Sequence, residues 1–409
     1  MDTNKQARSL INVMVPQADT FGSIGVIRSL GKNGYNVYAT STKEDALGLC
    51  SNYSFKGEVS PQYDAPCYID WLRNFVIKND IKAIIPSEDL LLTIEPHFDE
   101  FAALLPISHD KKTVYDCFCK VDVFERFIQS NDQQLKKNIP YTAIISELHT
   151  PDWGEIATWP KPLYLKGDAF YSKDGRTAFV RRLTTIEAAK CEYNKQKEQY
   201  KKILIQGHFT GTKAAVNLFM KEGRLLAESM VYSPHENPYY GGLMSLRHTW
   251  WHEKMYQDAV NRVKHLGWVG PAMFEYKYDP KNDTFGFIEL NARYWGFFNL
   301  EAIAGLDYPV IQLDDFLGID TPKFTHRLEK NITVRNTFPA DFGYMYSKLK
   351  SADFNTIEKL ACIAEFFYLS CNPVITSDLL YPGDRKLYFI NMYRFFKEQL
   401  HSCKKKLNF

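Results

Sequence analysis

Phe287-Ile288-Glu289-Leu290-Asn291-Ala292-Arg293 is the stretch on which the reading of this chain turns. Side chains on a strand alternate between its faces, so Glu289, Asn291 and Arg293 project together while Ile288, Leu290 and Ala292 face the other way. A polar turn at 280–284 joins this strand to an earlier extended run, 272–279, which carries Glu275 within Met273-Phe274-Glu275-Tyr276. The two runs read as a tight hairpin in which Glu275 can stand across the ladder from the Glu289–Asn291 face. Two carboxylates and an amide carbonyl are hard oxygen ligands, suited to a Mg²⁺ that keeps positions open for phosphate oxygens. Arg293 beside them is suited to holding an anion through two parallel N–H bonds.

A surface strand with charges on its wet face shows the same alternation. The residues that follow argue against that plainer reading. Tyr294-Trp295-Gly296-Phe297-Phe298 comes next, then Ala304-Gly305-Leu306-Asp307-Tyr308-Pro309. A solvated edge strand has no reason to run directly into so apolar and glycine-marked a segment.

On these residues the chain resembles the ATP-grasp superfamily of carboxylate–amine ligases, nearest to its amino-acid ligase branch. The family signature is a Glu on one strand, then Glu-x-Asn with an Arg two positions later, which falls here on Glu275, Glu289, Asn291 and Arg293. The resemblance covers about residues 10–320 and is strongest over 272–309. It implies an α/β chain, α+β in the clamp: an ATP-grasp fold behind an N-terminal Rossmann-like pre-ATP-grasp domain, with a helical C-terminal extension. The implied domains are 1–110, 111–320 and 321–409, the middle one split into a lid at about 140–206 and a metal-binding lobe at about 207–320. Family members carry a lysine at the start of the helix entering the ATP region, which corresponds to Lys120 in Cys119-Lys120-Val121-Asp122. A second lysine ends a strand before a glycine-bearing loop, here Lys166 before 167–175, although Gly167 stands where the family often has Pro. Both lysines are implied to meet nucleotide phosphates, each as a compact charge. The run 201–207 resembles the hinge strand whose backbone reads the adenine edge, with Ile205 and Gln206 as the implied contacts. Tyr239-Tyr240-Gly241-Gly242 and Arg247 resemble the loop and strand that hold a reacting carboxylate or acyl phosphate.

The rest of the chain gives weaker signals. Strand-like runs at 11–16, 35–40 and 81–86 alternate with helical stretches near 23–32 and 68–79, the pattern of a parallel sheet. The Gly22-Ser23-Ile24-Gly25 turn lacks Gly-x-Gly-x-x-Gly, and Thr40-Ser41-Thr42 stands where an acidic residue would end the second strand. A dinucleotide site is therefore not expected. Residues 110–130 read as one helical stretch and 254–266 as another. Gly211-Thr212-Lys213 is not a Walker loop, which needs Gly-Lys-Ser/Thr in series. His248 and His252 are four apart, as on one helical face, yet no Glu follows His248, so a zinc pair is disfavoured. His208 and His235 lie near the implied site by resemblance alone. Lys404-Lys405-Lys406 reads as a solvated tail, with contact to an anionic membrane the lesser alternative.

Composition sets the outer bounds. The 409 residues suggest two or three domains, and 50 Lys+Arg against 48 Asp+Glu leave a net charge of only +2. That balance is unlike a nucleic-acid binder. Eight cysteines without a paired pattern suit reduced thiols. No signal peptide or membrane-spanning run is expected, and a cytoplasmic protein is. Aromatic residues reach 15%; one group, Tyr239, Tyr240, Tyr294, Trp295, Phe297 and Phe298, is expected to line an acceptor pocket, and a second, at 366–368 and 388–396, to pack the tail.

Taken together, the resemblance implies an ATP-dependent ligase forming an amide through an acyl phosphate. Mg²⁺, or Mn²⁺ in its place, would sit on Glu275, Glu289 and Asn291, with Lys120, Lys166, Gln206 and Ile205 binding ATP and Arg293 and Arg247 acting in catalysis. Small carboxylate and amine substrates are the expected partners, and a homo-oligomer is compatible. An ATP-grasp phosphotransferase and a catalytically silent ATP-binding regulator are the alternatives.

Overall fold

The computed structural model describes residues 3–147, 149–175, 177–319 and 326–407. The implied domain boundary at 320/321 lies outside the described residues. Contacts divide the chain into two compact units. One is Met1–Ile107, Arg224–Trp251 and Arg293–Phe409; the other is Ser108–Gly223 and His252–Ala292.

The first unit contains a four-stranded parallel sheet in the order Lys56–Val59, Asn36–Ser41, Asn12–Val15, Ile81–Ile84. Its middle strands are apolar on both faces, with Val13, Met14, Val37 and Ala39 wholly buried, as parallel strands covered by helices require. Gly22 and Gly25 lie within the helix Phe21–Lys32, not in a turn before it. A side chain on Gly22 would meet the Trp295 carbonyl oxygen at 2.7 Å, and one on Gly25 would meet the Phe298 ring at 2.9 Å. The glycines thus serve close packing inside this unit. Strands Arg224–Asn237 and Leu243–Thr249 form an antiparallel pair; Thr333–Arg335 joins the second of them, and Ile375–Ser377 follows.

The second unit contains an antiparallel sheet in the order Thr142–Ser146, Lys202–Gln206, Leu163–Gly167, Phe179–Leu183. Ile145, Ile156, Leu163, Leu165, Ile203 and Ile205 form its core. In the same unit Gly270–Asp279 runs antiparallel between Thr212–Lys221 and Thr284–Asn291. The helix Glu253–Leu266 is fixed by a buried polar knot. Arg262 Nε donates to Asp258 at 2.6 Å, its other nitrogens donate to the Leu135 and Lys137 carbonyls, and Tyr276 Oη donates to Asp258 at 2.8 Å.

The stretch 110–130 is two helices, Lys111–Phe118 and Lys120–Gln129, broken at Cys119, whose backbone is extended. His248 lies on a strand, and His252 caps the helix Glu253–Leu266, where its ring accepts from the Met255 N–H. The pair therefore shares no helical face. Trp295 and Phe298 are wholly buried and stack edge-on against Tyr308, at 5.5 and 6.2 Å, so they form core and not a pocket wall. Among the described residues no helix is long and apolar enough to cross a membrane.

Candidate active site

Register decides how the hairpin presents its acids. Glu275 pairs directly with Glu289, and Met273 with Asn291, which places paired Cβ atoms about 5 Å apart. Tyr276 pairs with Phe287, so Ile288 is an extra, bulged residue. The bulge turns Phe287 onto the buried face with Phe274 and Tyr276, where strict alternation would have put it beside Glu289. Phe287 there meets Phe124 and Phe127 of the helix Lys120–Gln129, at 5.2 and 5.6 Å. Packing of that helix on the hairpin brings its first residue over the acids: Lys120 Nζ lies 3.0 Å from Glu289.

Three lysines from three elements converge here. Lys213, on the strand that flanks Glu275, forms an ion pair with the Glu275 carboxylate. Lys166 ends its strand with Nζ donating to Gln206 Oε1 at 2.9 Å, and Gln206 Nε2 donates in turn to Thr142 Oγ1 at 3.1 Å. Burial pushes the Lys166 ammonium down to about 8, although the Glu289 carboxylate draws it the other way. Burial alone would raise the Glu289 carboxyl; the ammonium groups of Lys120, Lys166 and Lys213 outweigh it and hold the acid well below the usual range. Glu289 is thus held ionised, and both acids are paired with lysine cations. Glu275, Glu289 and Asn291 offer oxygen donors on adjacent strands, which fits Mg²⁺. Among the described residues no group of three His, Cys, Asp or Glu side chains is placed to hold a metal by itself.

Beside the lysines is a cavity of about 160 Å³ lined by Lys120, Val121, Lys166, Asp168, Phe179 and Leu204, among others. Asp168 ties its two lysine-bearing elements together, accepting the Lys120 backbone N–H at 2.8 Å from its place two residues beyond Lys166. Strand alternation puts Leu204 and Gln206 toward this side and Ile205 into the core of the sheet, paired on both edges. The next two backbone N–H groups are also committed, Gly207 to Tyr141 O and His208 to Pro160 O. The Ile205 side chain is therefore not part of the cavity. Lys213, Asp168, Leu204 and Phe179 were missed in sequence; only Lys213 carried a signal there, as the cation in a glycine-led turn.

The two arginines belong to the first unit. Arg293 donates to Glu88 Oε2 through Nη2 at 2.7 Å and Nε at 3.2 Å, and to the Tyr294 carbonyl. Arg247 is wholly buried, its Nη2 2.6 Å from Asp378 and its guanidinium over the Phe297 ring. Tyr239 is held by Ser347, Ser351 and Asp353 of the C-terminal region. His235 is buried with Nδ1 2.8 Å from Asp341. His208, in the second unit, stacks on Tyr164, and burial lowers its pKa.

A family model described as "Carbamoyl-phosphate synthase L chain, ATP binding domain" matches residues 248–309. No curated protein matches the sequence. Solved structures do match. An L-amino acid ligase from Bacillus licheniformis has 15% identity and a TM-score of 0.56, covering 75% of this chain and 74% of its own. The biotin carboxylase domain of Hydrogenobacter thermophilus 2-oxoglutarate carboxylase, a dimer complexed with MgADP, ADP and bicarbonate, has 15% identity and a TM-score of 0.58, covering 79% and 73%. D-alanine–D-alanine ligase from Bacillus anthracis, complexed with ATP, has 12% identity and a TM-score of 0.50, covering 76% and 97%.

Proposed function

The chain has the ATP-grasp fold, and from that premise we propose that it is an ATP-dependent carboxylate–amine ligase acting on a small carboxylate such as an amino acid. The observation that carries this reading is the gathering of Lys120, Lys166 and Lys213 around Glu275 and Glu289 beside one cavity. The similar ligases and carboxylase, two of them complexed with adenine nucleotides, support the same reading. Residues 1–110 would form the pre-ATP-grasp domain, 111–320 the ATP-grasp domain and 321–409 its extension.

In this reading Val121, Phe179 and Leu204 supply the apolar wall for adenine. Lys166 and Lys120 leave Gln206 and Glu289 to hold the phosphates, each giving a compact charge where negative charge builds up. Glu275, Glu289 and Asn291 would hold Mg²⁺, with Lys213 released from Glu275 as the ion enters. Bound Mg²⁺ screens the phosphate charge, and ATP supplies the phosphoryl group that turns a carboxylate into an acyl phosphate for attack by an amine. The loop 167–175 would fold over the phosphates and keep water from the activated carboxylate. Arg293, released from Glu88, would hold an anionic group in catalysis, and Arg247 would act through the packing it sets with Asp378 and Phe297. Catalysis rests on placement and fixed charge, with no side-chain nucleophile.

The test combines ATP, Mg²⁺ and pooled amino acids, carboxylic acids and amines with the protein. Release of ADP and phosphate that needs two co-substrates supports a ligase. A stable phosphorylated product would show a phosphotransferase instead, and tight ATP binding without turnover a silent regulator. Glu289→Ala should abolish Mg²⁺-dependent turnover with an unchanged circular dichroism spectrum; retained turnover would refute the metal assignment.

A further inference from the structure

The helix Lys386–Leu407 has two apolar faces. One is docked within its own unit: Leu387 and Phe395 are buried, and Phe395 packs on Phe338 and Phe342 at 5.1 and 5.3 Å. The other carries Phe389, Tyr393, Phe396 and Leu400, exposed by 55, 66, 45 and 65%, with Phe396 at its edge also touching Phe338 at 5.2 Å. These fall at i, i+4, i+7 and i+11, a single stripe on the side of the helix away from Leu387 and Phe395. At 1.5 Å per residue the stripe is about 16 Å long. Exposed large apolar residues scattered singly are ordinary; four in line, three of them aromatic, are not.

Charge says what covers the stripe. From residue 385 to 409 the sequence holds seven Lys or Arg, at 385, 386, 394, 397 and 404–406, against one acid, Glu398; of these Arg394 is turned to Asp45 and Lys386 donates to Asn52. The exposed Lys397 lies along the stripe with its ammonium over the Tyr393 ring at 5.9 Å. A second copy of this chain seated on the stripe would bring two such basic flanks together, which repels. An anionic bilayer surface satisfies both features: aromatic and aliphatic side chains enter the headgroup boundary while the lysines meet lipid phosphates.

We propose that this helix is a surface anchor that docks the protein flat against anionic lipid, with Phe389, Tyr393, Phe396 and Leu400 entering the interface. The inference is independent of the ligase reading, since its test needs no nucleotide. Full-length protein is floated with vesicles of phosphatidylcholine and phosphatidylglycerol at 7:3, and with vesicles of phosphatidylcholine alone. Binding should occur only with the anionic vesicles and weaken in high salt. Phe389→Ser with Leu400→Ser should lower the partition coefficient about tenfold or more, from the lost apolar transfer, and Lys397→Glu should lower it through charge. Both positions are exposed, so the melting temperature should hold and show that the fold is intact. Equal binding by the double variant, or no binding by the wild type, overturns the proposal. A wild-type dimer that the double variant splits, without vesicle binding, assigns the stripe to self-association and overturns it as well.

Discussion

At the scale of single residues, the site is a set of charges that hold one another ready. Lys166 has an ordinary value of 10.5 and sits at about 8 in the folded protein, so it loses its proton as pH rises through 8. A phosphate ligand needs the ammonium form. Affinity for ATP should therefore be steady below pH 7 and weaken by about tenfold per unit above pH 8. Lys166→Arg, charged throughout, should flatten that profile in calorimetric titrations from pH 7 to 9.5; an unchanged slope would clear Lys166 of the role. Alternation on a strand puts Glu289 and Asn291 on one face with Glu275 across the ladder, whereas Lys120, Lys166 and Gln206 were offered by family resemblance; the structure gathers Lys120 with Glu289 and Lys166 with Gln206. Lys213 and Asp168 were legible in neither way. Their contribution depends on which strand lies beside which, and that is set by register rather than by any local run of residues. For Ile205 the resemblance locates a strand and its backbone, while the sheet's neighbours decide that its side chain goes to the core.

Elements position those residues through a few buried contacts. Asp168 caps the helix that begins at Lys120 from another strand, so Asp168→Ala should cost about 1 kcal/mol. It should also weaken ATP binding, because both phosphate-facing lysines lose their common anchor; a lowered melting temperature with unaltered affinity would confine Asp168 to stability. The Arg262–Asp258–Tyr276 knot lies beneath the hairpin. Removing one partner of a buried pair leaves the other charge uncompensated, and Arg262→Met should destabilise the second unit by about 3–5 kcal/mol in urea unfolding. The hairpin, its turn and three of the four parallel strands of the first sheet were readable from periodicity; the exposed edge strand Lys56–Val59 was not. Breaks were harder. Cys119 interrupts a continuous helical pattern without proline or glycine, and the Ile288 bulge shifts Phe287 to the other face with nothing in the sequence to announce it. The aromatic run 294–298 looked like a pocket wall for want of knowing that Gly22 and Gly25 admit another backbone close enough to bury it.

For the whole molecule, the contact division makes a thermodynamic statement. The candidate lysines and metal ligands all lie in the second unit. A ligand that binds only the folded form stabilises it by about 2.7 kcal/mol at a hundred times its dissociation constant. Calorimetric scans with a non-hydrolysable ATP analogue and Mg²⁺ should therefore raise the transition assigned to that unit first. Composition, with its balanced charge, excluded a nucleic-acid binder in principle but hid how uneven the charge is locally, since the helix at 386–407 holds six Lys or Arg against one acid and the rest of the chain offsets it. The division has a further consequence during synthesis. Residues 108–223 leave the ribosome carrying Lys120, Lys166 and Lys213, and their partners Glu275 and Glu289 follow only after a passage, 224–251, that belongs to the other unit. Every residue that lines the cavity, 120–204, is thus in the chain before the hairpin that pairs with its lysines is made. Residues 252–292, the forty or so after Trp251, then complete the unit by bringing Glu289 to Lys120 and Glu275 to Lys213.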